Sequence, residues 1–482
     1  MINDAMYNCR KQMSQKLKPY PEYKDSGIPW LGKVPMHWIQ KPIQAITYLK
    51  NIRGRPDLPL LSVYRDYGVI RKDSRDDNYN PEGSDLSTYK VVKPGNLVLN
   101  KMKTWQGSLG VSNHLGIVSP AYIVCEIISD VYPHYIHYLL RSRIYVWFYN
   151  QISSGVRVNQ WDMRYSDFKR IQIFLPPIEE QRQIANYLNK KEHEINRFIY
   201  NKRQLIKLLN EQKQAIINHA VTRGIDPNVR LKPSGVDWIG DIPEHWTVMP
   251  IRRAFESIDY GISESISDSG KIRVLTMGDI NNGQVHIPET GGVDWVSDNL
   301  LLKDGDLLYN RTNSAELVGK VGLFKQVNTV QVTYASYLVR FRVKNINNSE
   351  FLNYLLNSPK ILSIARQLAI PSLNQSNLNP TRYGRILIAL PSLSDQIKIV
   401  SKINNDCAKI DKLIQINERQ IKLICEYRIR LIADVVTGKI DVRGIPVEEI
   451  EGLEEYMDAY VSEELQEKVE IEETVEVLDA ND

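Results

Sequence analysis

Cysteine is scarce in this chain. Its 482 residues hold four, Cys9, Cys125, Cys407 and Cys425, with no CxxC spacing and no paired framework. That excludes a disulfide scaffold or a zinc ribbon and leads us to expect free thiols in a reducing cytoplasm. Long apolar runs are also missing: none reaches the roughly eighteen residues that a membrane-spanning helix needs. The first residues, MINDAMYNCRKQMSQKLK, lack an apolar core, so no secretory signal is expected.

Catalytic motifs are missing as well. No GxGxxG opens a helix after a strand. Gly27–Lys33 approaches a phosphate loop, but Val34 stands where Ser or Thr is required. Leu175 precedes Pro176-Pro177, where an adenine-methyltransferase motif needs Asp or Asn. Glu211-Gln212-Lys213 has the lettering of a nuclease site but falls inside a helical pattern. His134 and His137 form a pair with no further ligands, which reads as structural. His37-Trp38 and His245-Trp246 read as packing corners. No catalytic residue and no metal ligand is assigned.

What is present is size, charge and repetition. A chain of this length calls for two or three domains, and its 43% hydrophobic content is enough to fold them. The net charge of +4 hides an asymmetry: from Val447 onward there are fifteen acidic residues and one Lys, a balance of −14, which leaves +18 on residues 1–446. A basic body with an acidic tail fits a protein that binds a polyanion.

The stretch Glu179–Val221 contains no Gly or Pro. Ile195, Ile199, Ile206, Leu209, Ile216 and Ala220 recur in it at steps of three, four and seven, the helical period. Such a helix runs roughly 60 Å, long for a globular domain and suited to a coiled-coil strut. The stretch then occurs again at one constant offset. The stripe becomes Ile410, Ile414, Ile421, Ile424, Leu431 and Val435. Leu175-Pro176 and Gln181 become Leu390-Pro391 and Gln396, and the ending Val221-Thr222…Ile225-Asp226 becomes Val436-Thr437…Ile440-Asp441. One polar position interrupts each stripe, Lys202 and its counterpart Asn417. Either it is buried and fixes register, or the stripe rotates there and both point to water.

The repeat is larger than the helix. Gly27-Ile28-Pro29-Trp30-Leu31-Gly32 matches Gly235-Val236-Asp237-Trp238-Ile239-Gly240, and Pro35-Met36-His37-Trp38 matches Pro243-Glu244-His245-Trp246. Turn-and-strand segments at Lys93–Lys101 and Lys303–Arg311 match, as do strands at Pro120–Val124 and Ala335–Val339. A short helix is expected in each copy, around Pro133–Tyr149 and Ser349–Gln367, followed by Asn159-Gln160 or Asn374-Gln375. Between these landmarks, residues 51–90 and 259–300 diverge, the first rich in Arg, Lys and Tyr, the second in Gly and Asn.

With that order in view, the chain resembles the specificity (S) subunits of type I restriction–modification systems over residues 20–443. The carriers are the two Gly-x-x-Trp-x-Gly-x-x-Pro-x-His-Trp segments and the two Leu-Pro-x-x-x-x-Gln helices that end in Val-Thr-x-x-Ile-Asp. The resemblance implies an α+β fold: two globular target recognition domains joined by two long helices forming an antiparallel coiled coil, in an internal pseudo-twofold repeat. The expected divisions are an N-terminal arm over 1–19, recognition domains over 20–174 and 229–389, long helices over 175–228 and 390–443, and the acidic tail over 444–482.

The function implied is non-enzymatic. Each recognition domain reads one half of a bipartite, asymmetric double-stranded DNA site, and the helices set the spacer. Two methyltransferase subunits bring S-adenosylmethionine, restriction subunits bring ATP and Mg, and this chain holds no cofactor. No membrane partner is expected. The second helix departs from the first, with Ser394-Asp395-Gln396 in place of Glu179-Glu180-Gln181, and the acidic tail lies outside the resemblance. Two other readings stay open, a protein-interaction scaffold without DNA and an enzyme that works alone.

If the half-sites differ, base-reading residues differ between the copies. Candidate readers are Arg53, Arg55, Arg65, Arg71, Arg75, Asn281, Asn282, Gln284 and Asn313. Candidate phosphate contacts are Lys101, Lys103, Arg157, Arg164, Arg311, Lys325, Arg382 and Arg385. Features kept in both copies, such as Trp30 with Trp238 and the Asn-Gln pairs, fit scaffold or methyltransferase contacts, although Asn and Gln can also read adenine.

Overall fold

The computed structural model describes residues 17–74, 85–153, 161–326, 329–372 and 375–447. Arg75, Arg157, Asn159, Gln160, Asn374 and the tail from 448 lie outside the described residues. The chain is mixed helix and strand, and its contacts fall into two compact units. Among the described residues, unit 2 is the continuous stretch Arg203–Asn417, whereas unit 1 combines the chain before Arg203 with the chain from Glu418. These limits differ from the boundaries expected from sequence. They cut each long helix near its middle, because half of each helix is packed into each core.

Unit 1 opens on a hairpin, Tyr23–Asp25 with Lys33–Pro35. Its loop explains the first shared motif. Gly27 and Gly32 adopt φ of 68° and 72°, which only Gly tolerates freely, and Ser26 donates its N–H to Gly32 O. Gly235 and Gly240 repeat this in unit 2 at 73° and 72°. Trp30 stacks on Phe148 with ring centres 4.6 Å apart. The central sheet of unit 1 is antiparallel, built from β1 (Thr47–Lys50), β4 (Leu97–Leu99), β5 (Leu109–Val111) and β6 (Ile123–Ile127) in the order β1-β6-β4-β5. A separate hairpin, β2 (Leu61–Tyr64) with β3 (Gly68–Arg71), belongs to the divergent stretch. Helix α1 (Pro133–Arg141) packs on the sheet.

Unit 2 repeats the plan with a wider sheet of β7 (Phe255–Tyr260), β8 (Ile280–Asn281), β9 (Gln284–Val285), β10 (Leu307–Asn310), β11 (Val321–Leu323) and β12 (Leu338–Val343), in the order β7-β12-β10-β11-β9-β8. Helix α3 (Ser349–Leu356) takes the place of α1. Each helix expected as one piece is two. Unit 1 adds Arg143–Ile152 after an extended Ser142, and unit 2 adds Pro359–Leu368. Pro359 cannot continue the preceding helix, but nothing in the sequence around Ser142 announces its break.

The long helices are α2 (Ile178–Arg223) and α4 (Leu393–Val436). In unit 1, Ile184, Tyr187 and Leu188 share a core with Leu431, Val435 and Val436, and Arg428 donates to Asn196 Oδ1 at 3.2 Å. In unit 2, Ile217, Ala220 and Val221 share a core with Ile399, Ile403 and Cys407, and Lys213 meets Asp411 at 2.6 Å. In both units residue numbers rise on one helix as they fall on the other. Along the stripe, Ile195, Ile199, Leu209, Ala220, Ile410, Leu431 and Val435 are buried. Ile206, Ile216, Ile414, Ile421 and Ile424 are half-buried. Ile217 rather than Ile216 takes the buried position, as the slow drift of a 3.6-residue helix against a seven-residue repeat dictates. Asn417 is buried and its amide donates to Leu413 O at 2.7 Å. Lys202 is half-buried, with its ammonium 5.3 Å from the centre of the Phe198 ring. So the polar interruption does not leave both residues in water.

Candidate nucleic-acid interface

The shared Gln of each helix start is a fastening. Gln181 Oε1 accepts from Tyr132 N at 2.9 Å, next to the start of α1, and its amide donates to Pro176 O at 2.8 Å. Gln396 does the same for Asn348 N and Pro391 O, at 2.7 and 3.0 Å. The Leu-Pro-x-x-x-x-Gln spacing thus ties each long helix to the short helix of the domain before it. Its neighbour Glu180 differs from Asp395. Glu180 is buried and accepts from Tyr20 Oη (2.8 Å) and Trp38 Nε1 (2.9 Å), and it meets His37 Nε2 at 2.7 Å. Asp395 is about one-third exposed and reaches His245 only at 3.5 Å. The Pro-x-His-Trp corner is therefore a packing and fastening feature.

These fastenings leave the variable surfaces free to differ. In unit 1 the described candidate reading arginines, Arg53, Arg55, Arg65 and Arg71, are exposed, and three carry their own Asp. Arg55 grips Asp57 with bonds of 2.8 and 2.6 Å, Arg71 grips Asp73 at 3.1 and 2.7 Å, and Arg65 meets Asp66 at 3.3 Å. The hydrogen bonds from Arg55 and Arg71 hold the Asp57 and Asp73 carboxyls below the usual range. Exposed pairs of this kind contribute little to stability, so a stronger acceptor can displace the carboxylate. Arg53 donates to Asn51 Oδ1 at 3.1 Å.

The loop between β4 and β5 carries Lys101, which pairs with Asp162 at 2.7 Å, and the exposed Met102 and Lys103. It also carries Trp105, whose ring centre lies 5.0 Å from that of Trp161. Arg65 reaches this loop: its Cγ would lie 3.6 Å from a Cβ on Gly107. Arg164 is exposed at the start of a short helix, Tyr165–Phe168.

In unit 2, Asn281, Asn282 and Gln284 are exposed on the β8–β9 turn. Asn282 is the single described non-glycine residue at positive φ, 49°, which Asn tolerates better than most. Arg311 is half-buried, 5.3 Å from the centre of the Tyr260 ring. Asn313 is buried, with Oδ1 accepting from Ser314 N at 2.8 Å, so its side chain serves its own strand. Lys325 pairs with Glu350 at 2.7 Å. Arg382 and Arg385 are exposed on either side of Gly384. Sequence reading missed the exposed Tyr260, Tyr337 and, most exposed of all, Trp295 at 78%. The repeat pairs Tyr337 with Tyr122, but no spacing or repeat marks Tyr260 or Trp295.

The family described as the type I restriction modification DNA specificity domain matches residues 243–424. The MjaVIII type I restriction enzyme specificity subunit of Methanocaldococcus jannaschii is 26% identical over 71% of this chain and 79% of its own length. The EcoKI specificity subunit of Escherichia coli K12 is 22% identical over 79% of this chain and 84% of its own. The chain is thus similar in sequence, over most of its length, to specificity subunits of type I restriction enzymes. A solved structure concerned with complex assembly and conformational transition of the type I R-M system has the same fold, with a TM-score of 0.62 at 14% identity, over 84% of this chain and 99% of that one. Among the described residues, no helix is long and apolar enough to cross a membrane.

Proposed function

We propose that this chain is the DNA-recognition subunit of a type I restriction–modification complex and is not itself an enzyme. Each unit carries one recognition domain that reads one half of a bipartite, asymmetric duplex site. The two long helices form an antiparallel coiled coil that sets the spacer and supports two methyltransferase subunits. S-adenosylmethionine resides on those subunits, with ATP and Mg on restriction subunits, and the complex works in the cytoplasm. The observation that carries this reading is the pairing of a duplicated, tightly fastened scaffold with two surfaces that differ, one arginine-rich and one rich in Asn and Gln. Duplication without divergence would suit a symmetric site.

The test is methyl transfer. The purified chain alone should incorporate no labelled methyl groups into DNA, and adding its methyltransferase subunit should produce sequence-specific adenine methylation. Methylation by the lone chain would overturn the reading. Affinity for duplex DNA should also fall with salt: about six phosphate contacts give a slope of about −5 in log K against log salt. A protein-interaction scaffold would show no such slope.

A further inference from the structure

The divergent stretches hold one element in common. In unit 1 it is the β2–β3 hairpin, in which Tyr64 pairs with Gly68 around a tip of Arg65, Asp66 and Tyr67. In unit 2 it is the β8–β9 hairpin, in which Asn281 pairs with Gln284 around Asn282 and Gly283. Gly68 and Gly283 hold φ of 78° and 76°. The sequences share little else, yet both hairpins sit on the same pedestal.

Two side chains one helical turn apart form each pedestal. On α1 they are His137 and Arg141, and in unit 2 they are Asn353 on α3 and Asn357, which caps it. A Cβ on Gly68 would lie 3.0 Å from His137 Cε1, and one on Gly283 would lie 3.1 Å from Asn353 Nδ2. Asn353 donates to Gly283 O at 2.8 Å. Arg141 donates to Leu109 O on β5 at 2.8 Å and, with its other nitrogen, to Arg65 O and Asp66 O at the tip, both at 2.9 Å. Asn357 donates to Val321 O on β11 at 2.8 Å and accepts from Val321 N at 3.0 Å. Beneath each hairpin the neighbouring strand carries a Gly. A Cβ on Gly110 would lie 3.3 Å from Gly68 Cα, and one on Gly322 would lie 2.9 Å from Ile280 and Val285. Neither strand leaves space for a larger residue.

A frame this constrained, under tips this different, is what two readers of different sequences need. We infer that the two hairpin tips are specificity-determining elements, with Arg65 in unit 1 and Asn282 and Gln284 in unit 2 facing base edges. Arg141 and the Asn353–Asn357 pair are positioning residues that fix where those tips stand. This rests on the DNA-reading function proposed above. It is consistent with Arg as the commonest partner of guanine and Asn or Gln as the partners of adenine. Arg141 is the more demanding clamp because the tip of unit 1 is one residue longer and Arg141 holds two of its carbonyls, where Asn353 holds one.

The test uses the full chain co-expressed with its methyltransferase subunit, and the readout is the methylated motif across a genome. Arg65→Ala and Gln284→Ala alter exposed side chains and should leave folding intact. Each should relax one position in one half of the motif, and a different half for each variant. The preference for the cognate base over its alternatives should fall about tenfold or more, the size of a lost base contact. Arg141→Ala should relax the same half as Arg65→Ala, and Arg141→Lys, which keeps the charge but not the fork, should not restore it. A wild-type motif retained at full preference in both tip variants would overturn this inference alone. A wild-type complex without sequence-specific methylation would overturn the functional reading and this inference with it.

Discussion

Glu180→Ala should destabilise unit 1 and leave unit 2 intact, while the equivalent change Asp395→Ala should do little anywhere. Glu180 accepts from the Trp38 indole and the Tyr20 hydroxyl, both almost wholly buried. Burial, with the charge of Glu180, pushes the Tyr20 hydroxyl well above its ordinary range, so it remains a donor. Removing the carboxylate leaves two buried donors without a partner, each costing about 1–3 kcal/mol, or about 4 kcal/mol together. His37 is 37% exposed and can turn to water. Asp395 has His245 at 3.5 Å, the exposed Lys398 at 3.7 Å and a bond from Ser392 Oγ at 2.9 Å at the helix start, worth about 0.3–1 kcal/mol. Glu180→Gln keeps one acceptor and should fall between the two. Global unfolding would blur the units, so the measurement is hydrogen exchange by peptide in rising urea. Equal losses for the two alanine variants would refute the reasoning, as would a Glu180→Ala effect under about 1 kcal/mol.

Lengthening both helices by seven residues, after Gln204 and after Arg419, preserves the apolar phase and adds about 10 Å. The methylated motif should gain about three base pairs of spacer or methylation should be lost; an unchanged motif at full activity would show that the helices are not the ruler. His137 is held well below its ordinary pKa by burial and then by Arg141. The unfolded chain therefore takes up that proton first, and unit 1 should lose up to about 1.4 kcal/mol per pH unit as pH falls below about 6.5. His137→Asn, the residue of the second copy, should flatten that slope in urea titrations at pH 5 and pH 7. Gly438→Ala places a Cβ 2.3 Å from Pro35 Cδ at a φ of 76°, and should cost unit 1 about 1–3 kcal/mol in thermal or urea unfolding.

The scaffold was legible in the sequence because its constraints are local. The two glycines around Trp30 and Trp238 are fixed by positive φ, and the Gln after each Leu-Pro is fixed by a carbonyl five residues back. A long helix shows itself through its period. Other features depend on residues far apart in the chain, and the sequence offered no handle on them. Arg141 touches Arg65 and Asp66 some 75 positions away. The Asp partners of Arg55 and Arg71 lie two residues on and were visible, but the sequence does not say whether such neighbours pair. Asn313 shared its type with the exposed Asn281 and differs from it only in burial.

Unit 1 is assembled from both ends of the described chain, and unit 2 from one continuous run. On the ribosome the second unit can therefore be completed before the first. Until the stretch Glu418–Val436 is made, Ile184, Tyr187 and Leu188 have no Leu431, Val435 or Val436 to lie against. At about 5–20 residues per second, that wait is on the order of ten seconds or more. Throughout it the first-made half presents an unfinished apolar face, and this is the stage of the molecule's life at which chaperones have most to hold.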